Sequence, residues 1–269
     1  MEENKIFSLI NLGQGKLLNQ LYGDLAKPSV KKIGQAIGTV LDVSNTILLP
    51  LKLLNEKSKI IFQKNISNYE NKLNEISDDK IIQVPNEIGV PVLDRLTYVS
   101  NEQLSNAFVN LLTKASSADT INLAHPGFIP LIDRLAPDEA KLIAFLWDES
   151  FIPFITYHVP EKIGDSFHIP NYAENLTGLE IDCKLDFPQN IKIYLDNLTS
   201  IGVLRQEKTY FKSDETIYKN LEEKYSHILQ KTIEGHSDEK YSLPELHKGY
   251  FEITDFGYLF IQACTDMGH

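Results

Sequence analysis

Residues 188–206, PQNIKIYLDNLTSIGVLRQ, decide how the fold is read. They describe a helix that stops at Gly202 and runs on into a strand, because glycine is the residue that most readily takes the left-handed turn ending a helix. A second stretch, KGYFEITDFGYLFIQAC at 248–264, gives a strand through Tyr250 to Thr254, then a helix opened by Thr254 or Asp255. Helix, glycine turn, strand, strand, helix is the skeleton of a winged-helix module, and the helix predicted over Leu135 to Glu149 completes it from upstream. Ordinary α+β domains produce the same pattern, so the order alone does not separate the two. Between the strands, SDETIYKNLEEKYSHILQKTIEG at 213–235 reads as a charged helical insertion. FIPFITYHVPEKIGDSFHIPNYAENL at 151–176 has little helical period and many breakers, and reads as an irregular linker or long surface insertion.

Everything before Phe151 reads as helix. The longest apolar-rich run, IGQAIGTVLDVSNTILLPLKLL, spans 33–54. Pro28 suits a first helical turn, where its missing N–H is not needed. Ile33, Ile37, Val40, Leu41, Leu48 and Leu51 follow helical spacing. Pro50 interrupts the backbone ladder and marks a candidate hinge. A second helix covers Leu51 to Ile76, with Ile61, Ile66, Tyr69, Leu73 and Ile76 on its apolar face. A short helix follows over Glu87 to Tyr98. In SNEQLSNAFVNLLTKA (100–115), Ser100 and Gln103 make a capping box, and Leu104, Ala107, Phe108, Leu111 and Ala115 form a buried stripe. The predicted fold class is mainly α: an N-terminal helical arm (1–80) and a helical bundle (81–150), followed by a C-terminal winged-helix-like α+β part (151–269).

The run at 33–54 is long enough for a membrane span, but it contains Gln35, Asp42, Asn45, Pro50 and Lys52. An acid near the centre of a lone span costs roughly 2.5–3.5 kcal/mol on insertion scales, so a constitutive span is rejected. Two readings remain: a core helix with Asp42 on its wet face, or an amphipathic surface helix that meets lipid or a partner. The charge distribution supplies the motive for the second. Residues 1–72 hold ten Lys and six acids, whereas 73–269 hold sixteen Lys plus Arg and thirty-one acids, for a whole-chain net of -11. A Lys-only, positive N-terminal region on an acidic body makes Lys31, Lys32, Lys52, Lys57 and Lys59 the candidate contacts to an anionic membrane or to an acidic partner.

General nucleic-acid binding needs clustered Lys and Arg to neutralise phosphates, and the acidic body argues against it. The predicted helix over Asn190 to Ile201 offers Lys192 against Asp196, and the presumed wing offers Arg205, Lys208 and Lys212, a small candidate contact patch. No catalytic signature is present. GQGK at Gly13 to Lys16 lacks the spacing of a phosphate loop, and none of the seven histidines pairs with another ligand at a recognised metal spacing. His125 reads as a helix-start residue whose ring satisfies a backbone group. Cys183, in the alternating run LEIDCKLDF, and Cys264, in FIQAC, lack the basic neighbours of a reactive thiolate apart from Lys184, and both read as structural. Adjacent acids such as Asp138/Glu139 read as a solvated face or a first helical turn. Gly34 and Gly38, four apart, read as a close-packing pair within the chain. The expected site list therefore contains no catalytic, cofactor-binding or metal-binding residue.

Several phrases, taken in order, resemble the abortive infection alpha family: LYGDLAKPSVKKIGQAIGTVLDVSNTILLPLKLL, IQVPNEIGVPVLDRLTYVSNEQLSNAFVNLLTKA, HPGFIPLIDRLAPDEAKLIAFL, YLDNLTSIGVL and FEITDFGYLFIQAC. The resemblance runs from about Leu21 to Cys264, and 151–186 matches none of its phrases. It implies antiphage defence and supplies no catalytic residues. Joined to the residue reading, it leads to an expected non-enzymatic defence protein that acts through protein contact, self-association or an anionic membrane. The alternative is a winged-helix sensor or regulator that binds nucleic acid. The absence of a basic n-region and apolar h-region in MEENKIFSLINLGQGKLLNQ points to a cytoplasmic chain, peripheral to the inner face of the membrane if the Lys-rich arm is exposed.

Overall fold

The computed structural model describes residues 28–43, 56–163, 165–168, 171–209, 211–236 and 241–266. Pro50 and Lys52 lie outside them. The chain divides into two compact units, residues 1–134 with 263–268, and residues 135–262 with 269. The described residues are mainly helical, with one four-stranded antiparallel sheet and a two-stranded ribbon among them.

The first unit packs α1 (Pro28–Val43), α2 (Glu56–Asn74), α3 (Asn86–Leu96), α4 (Glu102–Ala115) and the single turn α5 (Ile129–Ile132). α1 lies against α2 and α3, and α4 lies against both of those. Ile33, Ala36 and Ile37 of α1 are buried, as are Phe62, Ile66, Tyr69 and Leu73 of α2 and Phe108, Leu111 and Leu112 of α4. Each full burial of such a side chain contributes about 1.5–3 kcal/mol. Within the apolar run, Ile33, Ala36 and Ile37 are therefore core, while Gly34 and Gln35 are exposed. Polar side chains close the helix ends around this core. Asn65 Nδ2 donates to the carbonyls of Leu96 (2.9 Å) and Val99 (3.0 Å), satisfying the C-terminus of α3. The fully buried Tyr69 hydroxyl pairs with Ser116 Oγ at 2.6 Å, and burial pushes its pKa up. The N-cap of α4 is Asn101, whose side chain accepts from Leu104 N at 3.1 Å. The expected Ser100–Gln103 box does not form: asparagine, equally good at this position, stands next to the serine and takes the cap, and Leu104 at the third helical position cannot close a box. His125 does satisfy a backbone group, accepting from Gly127 N at 3.0 Å. At Gly34 and Gly38 an added Cβ would meet no atom within 4 Å, so the close-packing reading of that pair is not sustained among the described residues.

The second unit opens with α6 (Pro137–Phe145) and enters β1 (Phe151–His158). β2 (Glu161–Ile163) and β3 (Ser166–His168) form the ribbon, and β4 (Asn171–Leu176) returns beside β1. Then come α7 (Leu179–Asp182), α8 (Ile191–Ser200), β5 (Leu204–Glu207), α9 (Glu215–Lys224), α10 (Ser226–Gly235), β6 (Glu245–Ile253) and α11 (Asp255–Cys264). The sheet order is β4-β1-β6-β5, antiparallel throughout. Residues 151–176 are thus largely strand rather than an irregular linker. β1 shows no clean alternation because both faces are covered. Ile152 and Phe154 are buried on one face, while Ile155 and Tyr157 join a cluster with Tyr218, Leu221 and Tyr225 from the insertion helices on the other. Pro153 is tolerated because pairing with β4 starts only at Ile155. The run around Cys183 is also not a strand: α7 and a turn occupy it.

The helix-to-strand passage at 198–204 follows a Schellman pattern. Gly202 has φ 79°, its N–H reaches Thr199 O, and Val203 N reaches Leu198 O, each at 3.0 Å. Thr254 then opens α11, with its Oγ1 accepting from Gly257 N at 2.8 Å and donating to Gly202 O at 2.6 Å. Gly257 is needed for closeness rather than for φ: a Cβ there would stand 2.2 Å from Val203 O.

Candidate functional surface

Asp138 organises the exposed side of the second unit. It sits in the first turn of α6, next to Pro137, and is 1 % exposed. Its carboxylate accepts from Asp186 N (2.9 Å), Phe187 N (2.8 Å) and Tyr194 Oη (3.2 Å), with Lys141 Nζ at 3.1 Å. Burial by itself would raise its pKa; the two backbone N–H groups and Lys141 outweigh burial and lower it. Its neighbour Glu139 accepts from Ala136 N (2.5 Å) and Asn197 Nδ2 (2.9 Å). Both acids are buried, so the first-turn reading holds and the solvated reading does not. Together they tie α6, the 186–187 turn and α8 into one block.

Out of this block project Phe187, 58 % exposed, and Ile193, 64 % exposed. Tyr194, Leu195 and Leu198 take the buried face of α8, leaving Lys192, Ile193, Asp196 and Ser200 on the outer one. Lys192 pairs with Asp196 (3.0 Å) and Glu174 (3.3 Å). The adjoining α7 adds exposed Ile181 and Asp182, and Asp182 pairs with Lys224 at 3.0 Å.

The wing candidates do not form one free patch. Arg205 on β5 pairs across the ladder with Glu252 and also with Glu207 at 3.2 Å. Lys212 holds its ammonium over the rings of Tyr250 (4.2 Å) and Phe151 (4.7 Å). Lys208 is exposed. In the first unit, Lys31, Lys57 and Lys59 are exposed, but Lys32 is half-buried: its ammonium donates to Leu73 O (3.3 Å) and Ile76 O (2.5 Å) and pairs with Asp78 at 3.1 Å. It serves the C-terminal turn of α2.

Sequence spacing did not reveal the stacking of His158 on His247, with ring centroids 4.1 Å apart, because β1 and β6 are joined only by the ladder. Burial and the facing imidazole lower the pKa of His158. Burial pushes the Cys183 thiol up to about 12, with Asp182 and Glu180 adding to it, and raises that of Cys264. Both shifts favour the protonated thiol. Among the described residues, no group of three or more His, Cys, Asp or Glu side chains is arranged to hold a metal ion. No described helix is long and apolar enough to cross a membrane.

A mainly helical chain carrying a four-stranded antiparallel sheet, with one turn and one helix of its second unit tied to buried acids, is the class these observations define. The model of the abortive infection alpha family matches residues 61–264, and the chain belongs to that family. No curated protein matches it. Among solved structures, an uncharacterized protein from the hydrocarbon-degrading marine bacterium Alcanivorax borkumensis SK2 is similar at 18% identity, covering 54% of this chain and 95% of that one, with a TM-score of 0.31.

Proposed function

We propose that the chain is a cytoplasmic antiphage-defence protein that acts without catalysis of its own, by contact with another protein through a winged-helix-like C-terminal module. The family supports the defence role. The module reading is supported by connectivity: α6, β1, the α7–α8 pair, β5 and β6 follow in order, and the sheet places β6 between β1 and β5. α9 and α10 stand where a wing would be and cover the second sheet face.

The observation that carries protein contact over nucleic acid is the outer face of α8, the helix that would enter a DNA groove in such a module. It offers Ile193 and Asp196, and its one cation, Lys192, is paired with two acids. The surrounding unit, residues 135–262, has twelve Lys and Arg against twenty-two Asp and Glu, a net of -10. Phosphate neutralisation on the α8 face would rest on Lys192 alone, which is already paired. The membrane reading loses support from the burial of Ile33, Ala36 and Ile37 and from the capping role of Lys32.

The test is a panel on the full chain, with phage plaque counts in a bacterial host beside duplex-DNA retention and vesicle flotation. Protection with neither salt-sensitive DNA retention nor flotation is the expected result. Submicromolar DNA binding lost on changing Arg205, Lys208 and Lys212 to Glu would promote the nucleic-acid reading. Flotation with anionic vesicles, weakened by changing Lys31, Lys57 and Lys59 to Glu, would promote the membrane one.

A further inference from the structure

We infer that His158 and His247 form an acid-sensitive clasp: when both imidazoles are charged the rings part, and the end of the β1–β6 ladder that carries the β2–β3 ribbon opens. Such a clasp works whatever the second unit contacts.

The ladder register fixes the pair. His158 stands directly opposite Glu245, and His247 opposite Thr156, so all four side chains share one face of the sheet. The two imidazoles, diagonal across the ladder, stack with centroids 4.1 Å apart and planes 24° from parallel. That face is concave. Gln206 Nε2 on β5 donates to Asn175 Oδ1 on β4 at 2.8 Å, although β1 and β6 lie between those strands. In a flat sheet the two strands would stand roughly 14 Å apart, farther than the two side chains reach. Asn175 N also donates to Thr156 Oγ1 at 3.1 Å, on the same face as the pair.

The curl brings charged groups onto His158 from several strands: His247 and Glu245 on β6, Glu174 on β4 and Lys208 just after β5. One proton on the pair is offset by the carboxylates, with Glu245 Oε2 3.7 Å from His247 Nε2. A second proton sets two cations face to face at stacking distance. Burial of His158, its imidazole neighbour and Lys208 outweigh Glu245 and Glu174 and lower its pKa. The folded value therefore lies below the unfolded one of about 6.5, so the stabilisation is present above that pH and is lost as pH falls through the folded pKa.

Position decides what opens. His158 ends β1 and is paired with the first residues of both β4, Asn171, and β6, Glu245. The ribbon leaves the sheet at this point and is tied back by the Glu161–Tyr241 bridge and by Ser242 N donating to Pro160 O at 2.9 Å. Parting the rings frays three strand ends together and loosens the ribbon, while the far end of the ladder, at Phe151 and Ile152, stays paired.

The experiment follows hydrogen exchange of the full chain by mass spectrometry from about pH 7 to about pH 5, each rate divided by its intrinsic value at that pH. Protection of residues 155–158 and 245–248 should fall about tenfold over this range, while that of β5 stays level. In His158→Gln and in His247→Gln, which leave one imidazole each, the fall should shrink to about threefold or less. Level protection in wild type, or a full fall in either variant, overturns the clasp. Ring-carbon NMR of the histidine-labelled wild-type chain decides the matter without any variant. The pair should titrate in two coupled steps, and two independent steps at about pH 6.5 overturn the clasp.

Discussion

Removing the Asp138 carboxylate is the sharpest test of how the second unit is held together. In Asp138→Ala, the N–H groups of Asp186 and Phe187 lose their acceptor, as does the Tyr194 hydroxyl, and Lys141 keeps only Asp186. Hydrogen bonds to a charged acceptor contribute about 1.5–3 kcal/mol each, but they are not additive here because the freed groups partly reach water at the exposed turn. Breaking a buried charged hub costs about 3–5 kcal/mol. At roughly 3 °C per kcal/mol for a chain of this length, the melting transition should fall by about 9–15 °C. The pH dependence carries the same signature. The folded pKa of Asp138 lies below its unfolded value of about 3.9, so its stabilisation is fully present above that value and is lost as pH falls through the folded pKa. Thermal unfolding of the full chain, followed by circular dichroism from pH 7 down to pH 2, should show wild type converging on the variant at the acid end. A variant within about 1 kcal/mol of wild type at pH 7, or one that keeps the full wild-type acid sensitivity, would refute the role assigned to this carboxylate.

Two further substitutions test the packing. Gly257→Ala forces a Cβ onto the Val203 backbone, which cannot yield as a flexible side chain would, and should cost several kcal/mol, on the order of 3. Gly235→Ala, with nothing within 4 Å, should stay within about 1 kcal/mol of wild type when both variants are unfolded in urea. Lys32→Met removes the cation serving the end of α2 and should cost about 1–3 kcal/mol, whereas exposed Lys57→Met should change stability by less than about 0.5 kcal/mol. Equal effects from the two lysines would mean that the capping contacts carry no stability.

Local signals made the helices legible. Apolar residues at 3.6-residue spacing marked α2 and α4, and the glycine at 202 and Thr254 marked the ends of α8 and α11. The sheet was half hidden. β5 and β6 follow glycine and turn punctuation, but β1 is covered on both faces and contains a proline, so it lacks the alternation by which a half-buried strand is recognised. The candidate surface was harder still. Phe187 and Ile193 gain meaning from Asp138, about fifty residues earlier, and nothing in the spacing of Asp138 and Glu139 distinguishes buried acceptors from an ordinary helix start. Lysines were legible as charge but not as contacts. Lys32 and Lys57 look alike in sequence, and only tertiary packing makes one a cap and leaves the other in water.

The first unit draws on stretches far apart in the sequence. Asn110 Nδ2 donates to Cys264 O at 3.1 Å in a buried setting, and Lys72 pairs with Asp266. On the ribosome, the helices of residues 28–134 emerge long before their last partner has been translated. At about 5–20 residues per second they wait several seconds or more with Asn110 unpaired. The second unit, contiguous in sequence, has no such delay built into its order of synthesis. A chain cut short after β6 would therefore leave the earlier-made unit without the partners of Asn110 and Lys72.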